Sequence, residues 1–381
     1  MEKIRLISNI SFIFLFIFTL FLPSLVKVVP ARRVKMLNEN RRLSLKPAIS
    51  LSINAINEFP RRFESFFNDH FSFRNDLIHY YNLLKVKTMA ISPSKSVLLG
   101  KNGWMYFKGC GAVLDYCSLQ KFSSFELEQL RLNIEAKQNW LTKKGIAYLF
   151  VVAPNKLSIY PEFLPDEIKH LKGETRLDQL VEYMKKYSDV EILDLRKRLL
   201  TAKNKYRVFH LTDTHWNDIG AYFAYRKIIE STDKILDGYK LIPKKISDFQ
   251  VRSVIGKGGD LANFIGLKEV MQEDRIRLYP GFSRCAKKIE LPSYLNRKWN
   301  LKPFAMECLQ ARGKAVIFHD SFTVALVPFL AEHFQRSVYI WKTSPDPDLL
   351  NQVIEIEHPD IVVEEIVERL LGTMKTDQKF G

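Results

Sequence analysis

A chain of 381 residues with 46% hydrophobic and 26% charged residues can bury a large core and is too apolar for wholesale disorder. Its net charge of +16 invites a polyanionic partner, yet the basic residues are scattered and no Gly-rich phosphate loop, RNA-binding signature or zinc spacing accompanies them. Nucleic acid is therefore not an expected partner; an acidic glycan or an anionic membrane surface accounts for the excess as well.

Residues 10–26 carry no charge and hold Phe12, Phe14, Phe16, Phe18 and Phe21, with Lys3 and Arg5 before them. A membrane span needs roughly 20 apolar residues, and the stretch 10–29 meets that with only Lys27 intruding. No small-x-small cleavage site follows, so residues 1–30 are expected to form an uncleaved transmembrane anchor rather than a removed signal. The flanking charge points the other way from export. Lys27, Arg32, Arg33, Lys35, Arg41, Arg42 and Lys46 outnumber Lys3 and Arg5, which by the positive-inside rule alone would leave the body in the cytoplasm.

Residues 31–95 read as a basic tether followed by amphipathic helices. Between 53 and 87, Phe59, Phe63, Phe66, Phe67, Phe71, Leu77, Ile78, Tyr81 and Leu84 recur at helical spacing, with a break near 71–73. This stripe is read as core packing. A hairpin is expected over 96–107, turning at Lys101-Asn102-Gly103. Four cysteines form two local pairs, Cys110 with Cys117 and Cys285 with Cys308. An even count in loop-like sequence suits disulfides outside the cytosol, with free thiols as the alternative.

From there strands and helices alternate. A helix is predicted over 125–144 behind Ser123 or Ser124 as cap. The continuous apolar run 147–153 suits a parallel strand buried on both faces. A helix at 177–187, a strand at 190–195 and a helix at 219–231 follow. Residues 240–312 are punctuated by Gly and Pro and read as an irregular insertion. Alternation then resumes: strand 315–318, helix 322–334, strand 337–341, helix 345–356, strand 361–364 and a last helix from about 366. Repeated strand–helix units imply an α/β domain, a parallel sheet flanked by helices, spanning 96–375 with its insertion at about 240–312.

Two stretches of this domain hold the residue types of nucleophilic acyl chemistry. Ser321 follows the buried run Ala315-Val316-Ile317-Phe318, where a strand should break into a helix. In a parallel sheet the carboxyl ends of the strands face the ligand, and the amides and dipole of a following helix favour developing negative charge. His215 is placed to take the Ser321 proton, and Asp213, two residues away, to orient the imidazole. Taken singly each piece is weak: a Ser here is usually a helix cap, and Asp213-Thr214-His215 alone makes a satisfied loop. A metal reading gathers His210, Asp213 and His215 with His319 or Asp320, but no His-x3-His or His-Glu-x-x-His spacing supports it. Neither a metal nor a cofactor is expected.

The order of these pieces resembles a known family. Phe318-His319-Asp320-Ser321-Phe322 is similar to the Gly-Asp-Ser block of SGNH (GDSL-type) hydrolases with His in place of Gly. The stretch from Leu211 to Gly220 is similar to their Asp-x-x-His block with one residue fewer between Asp and His. It comes first in the chain, so the domain would be circularly permuted. That permuted pattern resembles the alginate O-acetyltransferase group. So do Glu39-Asn40-Arg41, the stretch from Phe67 to Arg74, the stretch from Gly100 to Phe107, Val152-Ala153-Pro154-Asn155-Lys156 with Tyr160-Pro161, and Gly259-Asp260-Leu261-Ala262-Asn263.

The resemblance implies Ser321 as nucleophile, His215 as base and Asp213 as orienter. It also implies acetylation of an exported, alginate-like polysaccharide in the periplasm by an enzyme held at the inner membrane, supplied with acetyl by a multi-pass membrane acyltransferase. Export agrees with the paired cysteines against the flanking charge. Two alternatives keep the same fold: a carbohydrate esterase using the same three residues, and a non-catalytic glycan-binding subunit. One departure stands out. The family's third block supplies an oxyanion Asn after a strand, whereas here the strand at 361–364 leads to Glu365, Glu368 and Arg369. Arg369 belongs either to the site or to an ion pair with Glu365 or Glu368.

Overall fold

The structure is a computed structural model that describes residues 9–18, 42–50, 52–71, 74–291, 303–374 and 380. The chain divides into two units: Met1–Pro93 with Asn263–Leu267, and Ser94–Ala262 with Lys268–Gly381. In the first unit, residues 9–18 are helical, but no described helix is long and apolar enough to cross a membrane, and most of the predicted anchor lies outside the described residues. Helices α1 (Ile53–His70) and α2 (Arg74–Thr88) follow. Ser52 caps α1 by accepting from the Ala55 amide. The Phe stripe of α1 stacks along the helix itself, Phe59 on Phe63 on Phe67 on Phe71, and no residue of α1 is buried. The stripe is therefore not core packing: as the i, i+4 spacing allows, its rings cover one another and stay open to solvent.

The second unit carries the expected alternation. Its elements are β1 (Val97–Leu99), β2 (Met105–Phe107), α3 (Ser124–Lys143), β3 (Ala147–Ala153), α4 (Arg176–Tyr187), β4 (Ile192–Asp194), α5 (Arg196–Lys203), α6 (Asp218–Ile235), β5 (Phe249–Lys257), β6 (Gln272–Pro280), β7 (Lys287–Ile289), β8 (Phe304–Glu307), β9 (Lys314–His319), β10 (Arg336–Trp341), α7 (Pro347–Glu357) and β11 (Ile361–Val367). Ser123 and Glu126 form a capping box that starts α3, and Thr175 with Asp178 does the same for α4.

The main sheet runs β4-β3-β11-β9-β10-β8-β7. Its first five strands are parallel, while β8 joins β10 and β7 joins β8 antiparallel. The sheet is thus mixed rather than parallel throughout. Both antiparallel strands come from the 240–312 segment, which also folds into the nine-residue hairpin β5–β6. The sequence concealed these strands because they are lightly buried: β5 interleaves Arg252 and Ser253 with exposed Val251, Val254 and Ile255, so no apolar face marks it.

The parallel strands are covered on both faces. Along β3, Leu149, Val151 and Ala153 face one core with Ile219, Tyr222 and Ile229 of α6; Tyr148, Phe150 and Val152 face the other with Ile134 of α3, Leu180 of α4 and Val353 of α7. Burial on both sides is why these strands read as unbroken apolar runs.

Two predicted helices near the C-terminus are corrected. The segment 322–334 is a 3-10 turn (Ser321–Ala325), one α turn (Val327–Leu330) and a second 3-10 turn (Ala331–His333). Pro328, near the start of the α turn, has no N–H to bond back into the preceding turn, so one continuous helix cannot form. The expected helix from 366 is instead strand to Val367, then a 3-10 turn (Glu368–Thr373). The β-branched run Ile361-Val362-Val363 with Ile366-Val367 favours extension over helix.

Candidate active site

Ser321 sits where β9 leaves the sheet, and its neighbour Asp320 fixes the turn. One Asp320 carboxylate oxygen accepts from the Phe322 amide at 2.8 Å and the other from the Val367 amide at 2.7 Å, tying the serine to the end of β11. Beneath it, Glu365 accepts from the Thr323 hydroxyl at 2.9 Å and faces the Asp320 amide at 3.3 Å. Burial, and then the Asp320 charge, push the Glu365 carboxyl well above the usual range. With only a five-residue 3-10 turn after Ser321, the expected helix dipole contributes little here.

The partner loop is built from the segment before α6. Asn217 caps α6 by accepting from the Gly220 amide at 3.0 Å, and donates to Arg207 O at 2.6 Å. The Asp213 carboxylate accepts from the His215 amide at 3.1 Å, a local turn that folds the two side chains together. Trp216, buried, donates its indole N–H to Phe322 O at 3.1 Å and packs edge-on against the Phe322 ring. This contact joins the histidine loop to the serine turn.

The result is a connected row. His215 Nδ1 lies 2.7 Å from Asp213 Oδ1, and His215 Nε2 lies 2.7 Å from Ser321 Oγ. The three residues picked out in the sequence therefore meet at one rim of the sheet, half-buried, with the imidazole resting on Phe322. Burial works against the Asp213 charge, but its hydrogen bond and charge interaction with His215 win and hold the carboxyl well below its ordinary range. It remains ionised and accepts a hydrogen bond from Nδ1–H, which leaves Nε2 free to accept from the serine hydroxyl. All three line a cavity of about 440 Å³ together with His210, Trp216, Asp218, Arg277, Leu278 and Arg284, and with the apolar wall Val324, Ala325, Pro328 and Phe329.

The site also uses residues to which the sequence assigned no role. Asp260 accepts from the Thr214 amide at 2.7 Å, and its own amide donates to Asp213 Oδ2 at 3.1 Å. Gly259 lies so close that a Cβ there would stand 2.4 Å from Asp213 Cβ, so only glycine fits. Lys156, buried, donates to the carbonyls of Met105 at 2.8 Å and Leu211 at 3.1 Å, and burial lowers its amine to about 7. Both Asp260 and Lys156 stand inside stretches that carried the family resemblance. Glu273 had no signal at all: it sits on exposed β6 and only the fold brings it behind the histidine loop.

Glu273 accepts from the amide and hydroxyl of Thr212 at 2.7 and 2.8 Å and faces His210 Nδ1 at 3.3 Å. Burial opposes its charge, but His210 and Thr212 outweigh that and lower its carboxyl from 4.5 to about 2. A lowered carboxyl contributes stability that is present above its unfolded value and lost as pH falls through the folded one. The expected result is a stability loss on the order of 3 kcal/mol between about pH 4.5 and 2. Urea melts across that range should show a shallower acid limb in Glu273→Gln; an unchanged limb would refute this role.

The metal set imagined from the sequence does not assemble. His319 is buried with Nδ1 on Asp320 O and its ring between Tyr339 and Trp341, while His210 faces Glu273. Among the described residues, Asp213, His215 and Asp260 do bring ligand atoms within 4.8 Å of one another. Both His215 nitrogens are already engaged, by Asp213 and Ser321, so an ion there would displace the serine or the carboxylate. Arg369 forms neither expected ion pair. It donates to Asn155 Oδ1 at 3.3 Å and stacks over Phe107 and Phe322, while Glu368 accepts from the Asn155 amide and the Ser158 hydroxyl. Of the cysteines, Cys285 and Cys308 are bonded to each other, and Cys110 and Cys117 are free.

Residues 97–282 match the family described as "SGNH hydrolase-like domain, acetyltransferase AlgX", a range that includes Asp213 and His215 and stops short of Ser321. Two curated relatives are each described as "Probable alginate O-acetylase AlgJ". The one from Pseudomonas syringae is 28% identical over 132 residues, 35% of this chain and 32% of its own. The one from Pseudomonas aeruginosa is 25% identical over 180 residues, 46% of this chain and 43% of its own. The chain thus spans less than half the length of these relatives. Among solved structures, Bacillus cereus PatB1 with a sulfonyl adduct superposes with a TM-score of 0.54 at 18% identity, covering 76% of this chain and all of that one, a likeness of fold. On these matches residues 97–282 carry an SGNH hydrolase-like domain of the acetyltransferase AlgX type, and the chain is similar over part of its length to the alginate O-acetylases AlgJ.

Proposed function

We propose that this chain is an O-acetyltransferase that moves acetyl groups onto hydroxyls of an exported, acidic polysaccharide through a serine acyl-enzyme. The observation that supports this reading is the His215 ring set between Ser321 Oγ and Asp213, at 2.7 Å from each. Ser321 Oγ attacks the donor's acetyl carbonyl as its proton passes to His215 Nε2; that proton then leaves with the donor's departing group. A sugar hydroxyl attacks the acetyl-serine, giving its proton to the same nitrogen, which returns it to Ser321 Oγ. Asp213 stays ionised throughout and stabilises the imidazolium. The Ser321 amide is a donor for the oxyanion.

In this reading residues 1–30 anchor the chain in the inner membrane, 31–95 form the tether and its helices, and 96–375 work in the periplasm. A multi-pass membrane acyltransferase supplies the acetyl group, since acetyl donors are made in the cytosol. The test is a product assay: the full chain in detergent is given p-nitrophenyl acetate and a uronate oligosaccharide. The expected outcome is an oligosaccharide heavier by one acetyl group. Release of acetate alone would favour the esterase, and no reaction would favour a glycan-binding subunit.

A further inference from the structure

The cavity around Ser321 carries two guanidinium groups in different electrostatic situations. Arg277, on β6, is paired with Asp218 at 3.1 Å, and Asp218 also accepts from the Leu278 amide. Its charge is matched. Arg284 donates one Nη1 proton to Pro328 O at 3.3 Å and has no carboxylate partner among the described residues. That leaves its Nε–Nη2 edge for a ligand.

The backbone beside Arg284 is held from two directions. The next residue, Cys285, is disulfide-bonded to Cys308, which is buried and donates its amide to Gln335 O at 3.0 Å. Glu332 accepts from the amides of Cys285 at 3.1 Å and Ala286 at 3.2 Å, so the nearby negative charge is engaged with the strap itself. The 240–312 segment is thereby fastened with one arginine on the wall of the reacting cavity. Such preorganisation lowers the ordering cost of binding an anion. Val324 and Phe329, which line the same cavity, offer an apolar surface for a sugar ring.

We infer that Arg284 is a specificity-determining residue: its guanidinium binds the carboxylate of a uronate in the acceptor and sets which hydroxyl reaches Ser321. This rests on the acetyl-transfer reading above. Arginine suits the task because its planar fork takes a carboxylate by two parallel N–H donors, which fixes orientation as well as position.

The test compares two acceptors, a uronate oligosaccharide and the same oligosaccharide with its carboxyls reduced to alcohols, using p-nitrophenyl acetate as donor and the full chain in detergent. The wild type should prefer the uronate, and that preference should weaken as salt rises. Arg284→Gln should raise KM for the uronate acceptor by about 10- to 100-fold, the effect of losing a charge-assisted pair. Its KM for the reduced acceptor should move by no more than about twofold, as for an ordinary surface change. Arg284→Lys should recover only part of the preference, since it keeps the charge and loses the fork. Equal shifts on both acceptors, or no shift on either, overturn the assignment while leaving acetyl transfer standing. A wild type that acetylates neither acceptor overturns the assignment and the acetyl-transfer reading together.

Discussion

Ser321→Ala should abolish acetyl transfer, lowering kcat by about 10⁴-fold or more while the melting temperature stays within a few degrees of wild type. The substitution removes one hydroxyl from a half-buried rim and leaves the structural contacts of the turn, which run through Asp320 to the Phe322 and Val367 amides, untouched. Loss of function would then report chemistry rather than folding. His215→Ala should cost a similar factor, and Asp213→Asn about 10⁴-fold, because Asn cannot hold the Nδ1 proton that leaves Nε2 free as a base. Since the three act as one unit, Ser321→Ala with His215→Ala should be little worse than either alone. A Ser321→Ala protein that still acetylates the oligosaccharide would end the acyl-enzyme reading, and polymer acetylation unchanged in cells would point to a binding subunit.

The parts of this site that were legible in the sequence are those fixed by short-range rules. A buried parallel strand announces itself as an unbroken apolar run, so the position of Ser321 just past 315–318 followed directly, as did the turn that folds Asp213 onto His215. What stayed hidden was whatever depends on distant parts of the chain. Glu273 reaches Thr212 only because the β5–β6 hairpin lies behind the histidine loop, and exposed strands lack the one-sided pattern that would reveal such a hairpin. Glu365 and Asp320 likewise look like ordinary surface acids until β11 is found to run to Val367, which brings both under the nucleophile. The local helix preference after Ser321 misled for the same reason: tertiary hydrogen bonds from Asp320 and Glu365, with Pro328 behind them, outcompete a regular helix. The proposed anchor rests on residues 1–30, of which only 9–18 are described.

Lys137→Met should destabilise the second unit by about 3–5 kcal/mol, the cost of leaving a buried charge without its partner. Lys137 on α3 is 0% exposed and its Nζ lies 2.5 Å from Glu364 Oε2, itself 1% exposed on β11, with the Tyr148 hydroxyl donating to the same oxygen at 2.8 Å. Strand alternation explains the placement. Val362, Glu364 and Ile366 turn toward α3, while Val363, Glu365 and Val367 turn toward the opposite layer, which holds the serine turn. With Met in place of Lys, Glu364 keeps only the tyrosine donor, too little to offset desolvation of a carboxylate. The double variant Lys137→Met with Glu364→Leu should recover most of the loss, because it replaces both charges by apolar groups of similar volume. Urea melts monitored by circular dichroism would decide the matter. A single variant costing under about 1 kcal/mol, or a double variant no better than the single, would show that this pair does not hold α3 to the sheet. The pair lies on the far side of β11 from Ser321, so the destabilised protein should keep its Ser321–His215 geometry for as long as it stays folded.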